Sequence, residues 1–138
     1  MTSINPTRES LESLQQSIPM DKPVTMLNLL RFNEQAAYPS DSDHSPCSGR
    51  DAYHRYSETA AAKLDEIGAK PIWMGRALAS VIAPEGEQWD EVLLVRYPSG
   101  EAFFQMLGMP DYQAATVHRT AALADARLIA TVEADARN

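Results

Sequence analysis

An α+β fold of the split βαβ kind is the architecture the sequence predicts, and three observations predict it. Apolar runs of strand length and helical stretches follow one another as strand–helix–strand–strand–helix–strand once an N-terminal helix and a loop insert are set aside. The strands are apolar on both faces, so each face must be covered. The chain has 138 residues, 44% apolar and 22% charged, which suits one packed core without a disulfide or metal to hold it.

Residues Asn5 to Ser17 read as a short helix. Asn5 is the expected cap, Pro6 the first helical residue, and Glu9 lies in the first turn. Leu11, Leu14 and Ile18 form its apolar stripe, and Pro19 with Asp21-Lys22-Pro23 ends it. Val24 to Phe32 is a strand with Val24, Met26, Asn28, Leu30 and Phe32 on one face. Asn28 is out of place there, because a buried amide must find a hydrogen bond. Glu34 to Ser48 is a loop rich in Ser, Asp and Pro.

Ser48 is the expected cap of the next helix, with Asp51 three residues on. Tyr53, Tyr56, Ala60, Leu64 and Ile67 mark its buried face, and Gly68 suits the position after its end. Lys70 to Pro84 is expected as a long second strand with a bulge at Gly75, Glu85-Gly86-Glu87 as the turn, and Trp89 to Tyr97 as the third strand of a hairpin. Pro98-Ser99-Gly100 stops the strand and caps a helix from Gly100 to about Leu107. Gly108-Met109-Pro110 interrupts, a second helical stretch runs from Asp111 to Ala124, and Arg127 to Ala134 is the last strand. The domain reading is a helical extension over 1–22, one domain of ferredoxin-like topology over 23–135, and a frayed tail over 136–138.

A four-stranded sheet with helices on one side leaves its other side open. Because that side is apolar, the expectation is a homodimer that pairs two sheets face to face. A net charge of −7 argues against nucleic acid and anionic membranes as partners. The single cysteine, Cys47, excludes a disulfide framework and suits a reducing compartment. MTSINPTRES has no apolar segment of the signal-peptide kind, and no run reaches membrane-spanning length, so the expected location is cytoplasmic. The chain has no GxGxxG, P-loop, GxSxG, HExxH or CxxC motif, which sets aside nucleotide, serine-hydrolase, zincin and dithiol chemistry.

The segments PVTMLNLLRF, CSGRDAYHRY, EGEQWDEVLLVRYPS and PDYQAATVHRTAALADARLIAT, taken together, resemble domain-of-unknown-function family 1330 (DUF1330), a branch of the dimeric α/β-barrel superfamily. The resemblance runs from Pro6 to Glu133. It implies a ferredoxin-like protomer, a homodimer with back-to-back sheets, and a pocket between sheet and helices. It implies no reaction, because the superfamily spans cofactor-independent oxygenases, isomerases, heme enzymes and ligand-binding modules.

Within that frame the expected catalytic residues are His118, to move a proton, and Tyr56, to hydrogen-bond the substrate. Asn28 and Arg119 are expected to orient and polarise it, beside Tyr112 and Trp73 as further substrate-binding residues. Tyr112 and Arg119 are seven residues apart on one helix and so share a face. Each has an ordinary alternative: His118 as a half-exposed helix residue, Arg119 as an ion-pair partner, Trp73 as core or interface packing. Asp41, Asp43, His44, Cys47 and His54 are ligand types without a standard spacing, so no metal is assigned, and no cofactor is expected. Two functions follow. One is an enzyme acting on a small carbonyl or aromatic metabolite as a cofactor-independent oxygenase or isomerase; the other is a non-catalytic binding or accessory dimer.

Overall fold

Strand β1 (Val24–Phe32) is the spine of a four-stranded antiparallel sheet in the order β2-β3-β1-β4. It pairs with β3 (Glu91–Tyr97) on one side and β4 (Leu123–Thr131) on the other. Strand β2 (Lys70–Arg76) lies outside β3. The computed structural model describes residues 2–134. Helices α2 (Gly49–Glu66) and α4 (Pro110–Ala122) pack on each other and cover one face of the sheet. Helix α1 (Arg8–Ser17) precedes β1, and the short α3 (Gly100–Leu107) joins β3 to α4. This is the ferredoxin-like, split βαβ order read from the sequence.

Local signals placed most boundaries. Ser48 Oγ accepts from Asp51 N at 3.1 Å and Ser99 Oγ from Ala102 N at 3.0 Å, each satisfying a donor that the first helical turn leaves free. Gly68 ends α2 with φ at +74°, a conformation that favours glycine. Val24, Met26 and Leu30 are fully buried on the helix side of β1, so the core sits between this strand and the two long helices.

Several elements differ from expectation, the end of β4 at Thr131 instead of Ala134 among them. Helix α1 is capped by Thr7, not Asn5: Thr7 Oγ1 accepts from Ser10 N and Ser10 Oγ accepts from Thr7 N, which leaves Pro6 outside the helix. Strand β2 ends at Arg76, not Pro84, because the residues that would lie opposite, Glu85 to Gln88, are poor strand formers, with Gly86 at φ +84°. Leu78, Val81 and Ile82 are left 84%, 93% and 96% exposed. Strand β3 starts at Glu91, not Trp89, because Asp90 closes the hairpin end: its N–H donates to the Leu30 carbonyl and its carboxylate accepts from Phe32 N. The ladder of β2 shifts between Pro71 and Trp73, not at Gly75; Gly75 instead makes room for the Trp73 ring, which would lie 2.3 Å from a Cβ there. Finally, α4 stops at Ala122 and β4 begins at once at Leu123, four residues before the expected Arg127, because this stretch is already in ladder with Phe32 and Arg31. The expected tail, 136–138, lies outside the described residues.

Ladder partners share a face of the sheet. The register therefore gathers Leu27 and Leu29 of β1, Val92 and Leu94 of β3, Trp73 of β2 and Ile129 of β4 on the side away from the helices. Trp73 is 54% and Ile129 51% exposed there. No helix among the described residues is long and apolar enough to cross a membrane.

A candidate site between sheet and helices

Tyr53 and Tyr56 stand one helical turn apart on the buried stripe of α2, and Tyr112 faces them from α4. The hydroxyls of Tyr56 and Tyr112 are 2.7 Å apart and satisfy each other in the interior. Their rings meet edge to face at 5.9 Å, and the Tyr53 ring lies 5.3 Å from that of Tyr56. Tyr53 is 9% exposed and its hydroxyl makes no hydrogen bond among the described residues; no buried side-chain oxygen among them is left unpaired, so this hydroxyl sits where the ring reaches the surface. Burial pushes the Tyr53 hydroxyl up to about 12, opposed by the Arg119 charge and assisted by Glu91 and Tyr112. Burial, then the neighbouring Tyr112 and Tyr53, holds Tyr56 well above the ordinary phenol value. These phenols stay protonated at neutral pH and act as donors, not bases.

Arg119 approaches the same group from α4, and its charge acts on both Tyr53 and Tyr56. Its Nη1 donates to the Ile4 carbonyl at 2.5 Å, and no carboxylate among the described residues lies within ion-pair distance of it. The guanidinium keeps four further donors. Ile4 is held in place by its neighbours: Ser3 N donates to Asp125 Oδ1 at 2.8 Å, Ala126 N donates to the Ser3 carbonyl at 2.7 Å, and Thr120 Oγ1 donates to Asn5 Oδ1. Burial disfavours the Asp125 carboxylate, but hydrogen bonds from Ser3 N, Arg127 and Ala126 N outweigh it and bring its pKa below the ordinary value.

From the sheet, Asn28 and Glu91 lie on the helix-facing side, Asn28 opposite Leu93 and Glu91 opposite Leu30. The Asn28 amide donates to the Leu93 carbonyl at 3.3 Å, the backbone partner its position demanded. Glu91 is half-buried, with no ion pair or hydrogen bond among the described residues. Burial raises its carboxyl pKa, opposed by Arg50 and assisted by Asp90.

His118 goes elsewhere. It sits beside Arg119 in sequence but about 100° around the helix, and it meets Tyr38 and His44 of the 34–48 loop. The Tyr38 hydroxyl is 2.6 Å from His118 Nδ1, and Arg55 Nη1 donates to the same hydroxyl at 3.2 Å. Burial lowers the His118 pKa, helped by His44 and Arg55. Trp73 is also separate, on the opposite face of the sheet from Asn28.

Of the residues expected to converge, Tyr56 and Tyr112 are in hydrogen-bond contact, and Tyr53, which the sequence marks only as part of a buried helix face, packs beside Tyr56. Arg119, on the same helix as Tyr112, contacts the Ile4 carbonyl and acts on Tyr53 and Tyr56 through its charge. A shallow groove of about 430 Å³ between α1 and β4, walled by Leu14, Ile18, Leu128 and Val132, has no charged side chain in its lining. Among the described residues no three His, Cys, Asp or Glu side chains gather as a metal site would need.

The family described as a domain of unknown function, DUF1330, matches residues 45–133. Methylated RPA0582 protein is 34% identical and superposes with a TM-score of 0.89, each chain covered in full. A second structure of RPA0582, a protein of unknown function from Rhodopseudomonas palustris, is 33% identical over 98% of this chain and 99% of its own, with a TM-score of 0.88. SnoaB, a cofactor-independent oxygenase from Streptomyces nogalater, shares the fold at 11% identity and a TM-score of 0.53, with 83% of this chain and 95% of its own covered. A dabb family protein with a ferredoxin-like fold from Mesorhizobium loti is 15% identical, with a TM-score of 0.50 over 82% of this chain and 98% of its own. No protein of curated function matches the sequence.

Proposed function

The chain belongs to the DUF1330 family, and from that premise we propose that it works as a homodimeric α/β barrel that binds a small carbonyl or aromatic metabolite between its sheet and its helices. One observation carries the binding site. The Tyr53 hydroxyl, at the surface edge of an otherwise buried ring, makes no hydrogen bond among the described residues, and the charge of Arg119, which has no carboxylate within ion-pair distance among them, acts on it. A ligand oxygen can accept from this hydroxyl in place of water, a hydrogen bond worth about 0.5–1.5 kcal/mol net. Arg119 favours the same oxygen, the more so if it carries negative charge, as in a phenolate, enolate or carboxylate. The Tyr56–Tyr112 pair and Asn28 belong to the surroundings of that oxygen, as donors and spacers. On these donors alone the site binds; catalysis needs a proton acceptor in addition.

The dimer is supported by the open side of the sheet, where Trp73 and Ile129 stand half-exposed beside Leu27, Leu29 and Leu94. Pairing that face with its own copy covers both at once under a two-fold axis. The test of the binding reading is titration with 4-nitrophenol, followed by its absorption, in wild type and in Arg119→Met. The phenolate form should bind wild type and be weakened about tenfold or more by the substitution, the loss of one charge-assisted hydrogen bond. Equal binding by both proteins would remove Arg119 from the site.

A further inference from the structure

We propose that Glu91 is the general base of this site and that its substrate is a carbonyl compound bearing an acidic C–H next to the carbonyl. The inference rests on the reading that the interior binds a small molecule. Glu91 opens β3 on the helix-facing side of the sheet, opposite Leu30 on β1 and Arg76 on β2. A half-buried carboxylate on a sheet would ordinarily be tied to an arginine, and this one is not. Arg76 is its ladder partner and Arg50, which lies over the Phe32 ring at 4.8 Å, acts on it electrostatically, but neither is within ion-pair distance of it among the described residues. Asp90, its chain neighbour, is committed to the backbone of β1. That leaves the Glu91 oxygens free to accept a proton.

The second observation is Tyr53: its ring packs edge to face on Phe32 at 5.5 Å, two residues on from the Leu30 that lies opposite Glu91, its hydroxyl makes no hydrogen bond among the described residues, and the charges of Glu91 and Arg119 both act on it. The site thus has the parts an enolisation requires: a base without a fixed partner, and donors that remain protonated where an oxyanion would form. Burial raises the Glu91 carboxyl, which makes it a stronger base once ionised. His118, the proton carrier the sequence suggests, is engaged with Tyr38, about 100° around α4 from Arg119.

The step balances without an oxidant. The Glu91 carboxylate takes the proton from the carbon next to the carbonyl. The C–H electron pair becomes the enolate double bond, and the carbonyl π pair moves onto oxygen, where Tyr53 and Arg119 donate to it. Glu91 then returns the proton. Delivery to the original carbon gives exchange; delivery to the far carbon of a dienolate moves a double bond.

The probe is cyclohex-3-enone in D2O, followed by NMR for deuterium uptake and by ultraviolet absorption for conversion to cyclohex-2-enone. Wild type should accelerate both. Glu91→Gln should lose about 100-fold or more of the rate, with Glu91→Asp retaining part of it, the range expected for removing a general base. The same Gln variant should bind 4-nitrophenolate at least as tightly as wild type, because a like charge is gone, and this also shows that it is folded. A rising acid limb in the pH–rate profile, absent in Glu91→Gln, separates proton transfer from a structural role. Wild type that binds 4-nitrophenol but gives no acceleration, or a Gln variant within about threefold of wild type, overturns Glu91 as the base and leaves the binding reading standing. Wild type that neither binds nor accelerates removes both.

Discussion

The phenol of Tyr38 and Nδ1 of the His118 imidazole meet at 2.6 Å. Arg55 donates to the same Tyr38 oxygen at 3.2 Å, which occupies one of its lone pairs and favours the Tyr38 proton pointing to Nδ1. Burial and the neighbouring His44 and Arg55 favour the neutral ring, which in that arrangement carries its proton on Nε2. Three elements, the 34–48 loop, α2 and α4, are fastened at this point.

Acid should loosen this fastening. The folded-state pKa of His118 lies below its unfolded value, so the native protein holds fewer protons here than the unfolded chain. The stabilisation is therefore complete above the unfolded value of about 6.5 and is lost as pH falls through the lower, folded one. Amide exchange of residues 34–48 should speed up over that window ahead of the sheet. Tyr38→Phe should cost about 0.5–1.5 kcal/mol at neutral pH in denaturant unfolding, the worth of one hydrogen bond. Exchange in the loop that is flat with pH would show that the tautomer is not what fastens it.

The Tyr56–Tyr112 hydroxyl pair should behave non-additively. Either tyrosine replaced by Phe strands the other hydroxyl in the interior, a loss of about 1–3 kcal/mol each. The double replacement removes both polar groups and should cost less than the sum. A double-mutant cycle by urea unfolding measures this, and additive losses would mean that the hydroxyls do not depend on each other.

A charge on the open face of the sheet should separate the subunits. Leu94 lies there between Leu27 and Trp73 in the ladder. Sedimentation equilibrium should give twice the chain mass for wild type and one chain mass for Leu94→Glu, because an isolated carboxylate buried between two sheets costs several kcal/mol. A wild type that stays monomeric would take away the face-to-face pairing.

Asp125 should matter to acid stability in a different window. Its folded pKa is depressed, so its contribution is present above the unfolded carboxyl value of about 4 and disappears as pH falls through the folded one. Asp125→Asn keeps the shape but removes the charge that Ser3 N and Arg127 use, and should cost about 1–3 kcal/mol at pH 7. The variant and wild type should converge in stability at the acid end, read by thermal unfolding across pH.

Much of the fold was legible because its signals are local. Ser48, Ser99 and Gly68 act within a few residues of themselves, and β1 is an apolar run with no other stable form. Thr7 outcompeted Asn5 as cap because Ser10 answers it from the first turn, a reciprocal pair that a search for the first Asn or Asp passes over. The site was half legible. Tyr112 and Arg119 share a helix face, and spacing shows that. That His118 turns away to a loop 80 residues earlier, and that Glu91 and Tyr53 come within reach of one another, depends on how β3 and α2 pack, and spacing holds no information on that.

The segment at Ser3 to Asn5 has a kinetic consequence. The polar partners that hold it among the described residues, Arg119, Thr120, Asp125 and Ala126, lie between 115 and 123 residues further along the chain. Closing so long a loop comes late and slowly in folding, since its entropy is lost before the contacts are gained. During synthesis residues 3–5 therefore wait undocked until β4 has emerged, and the Arg119 guanidinium receives the Ile4 carbonyl only when the rest of the protomer is already in place.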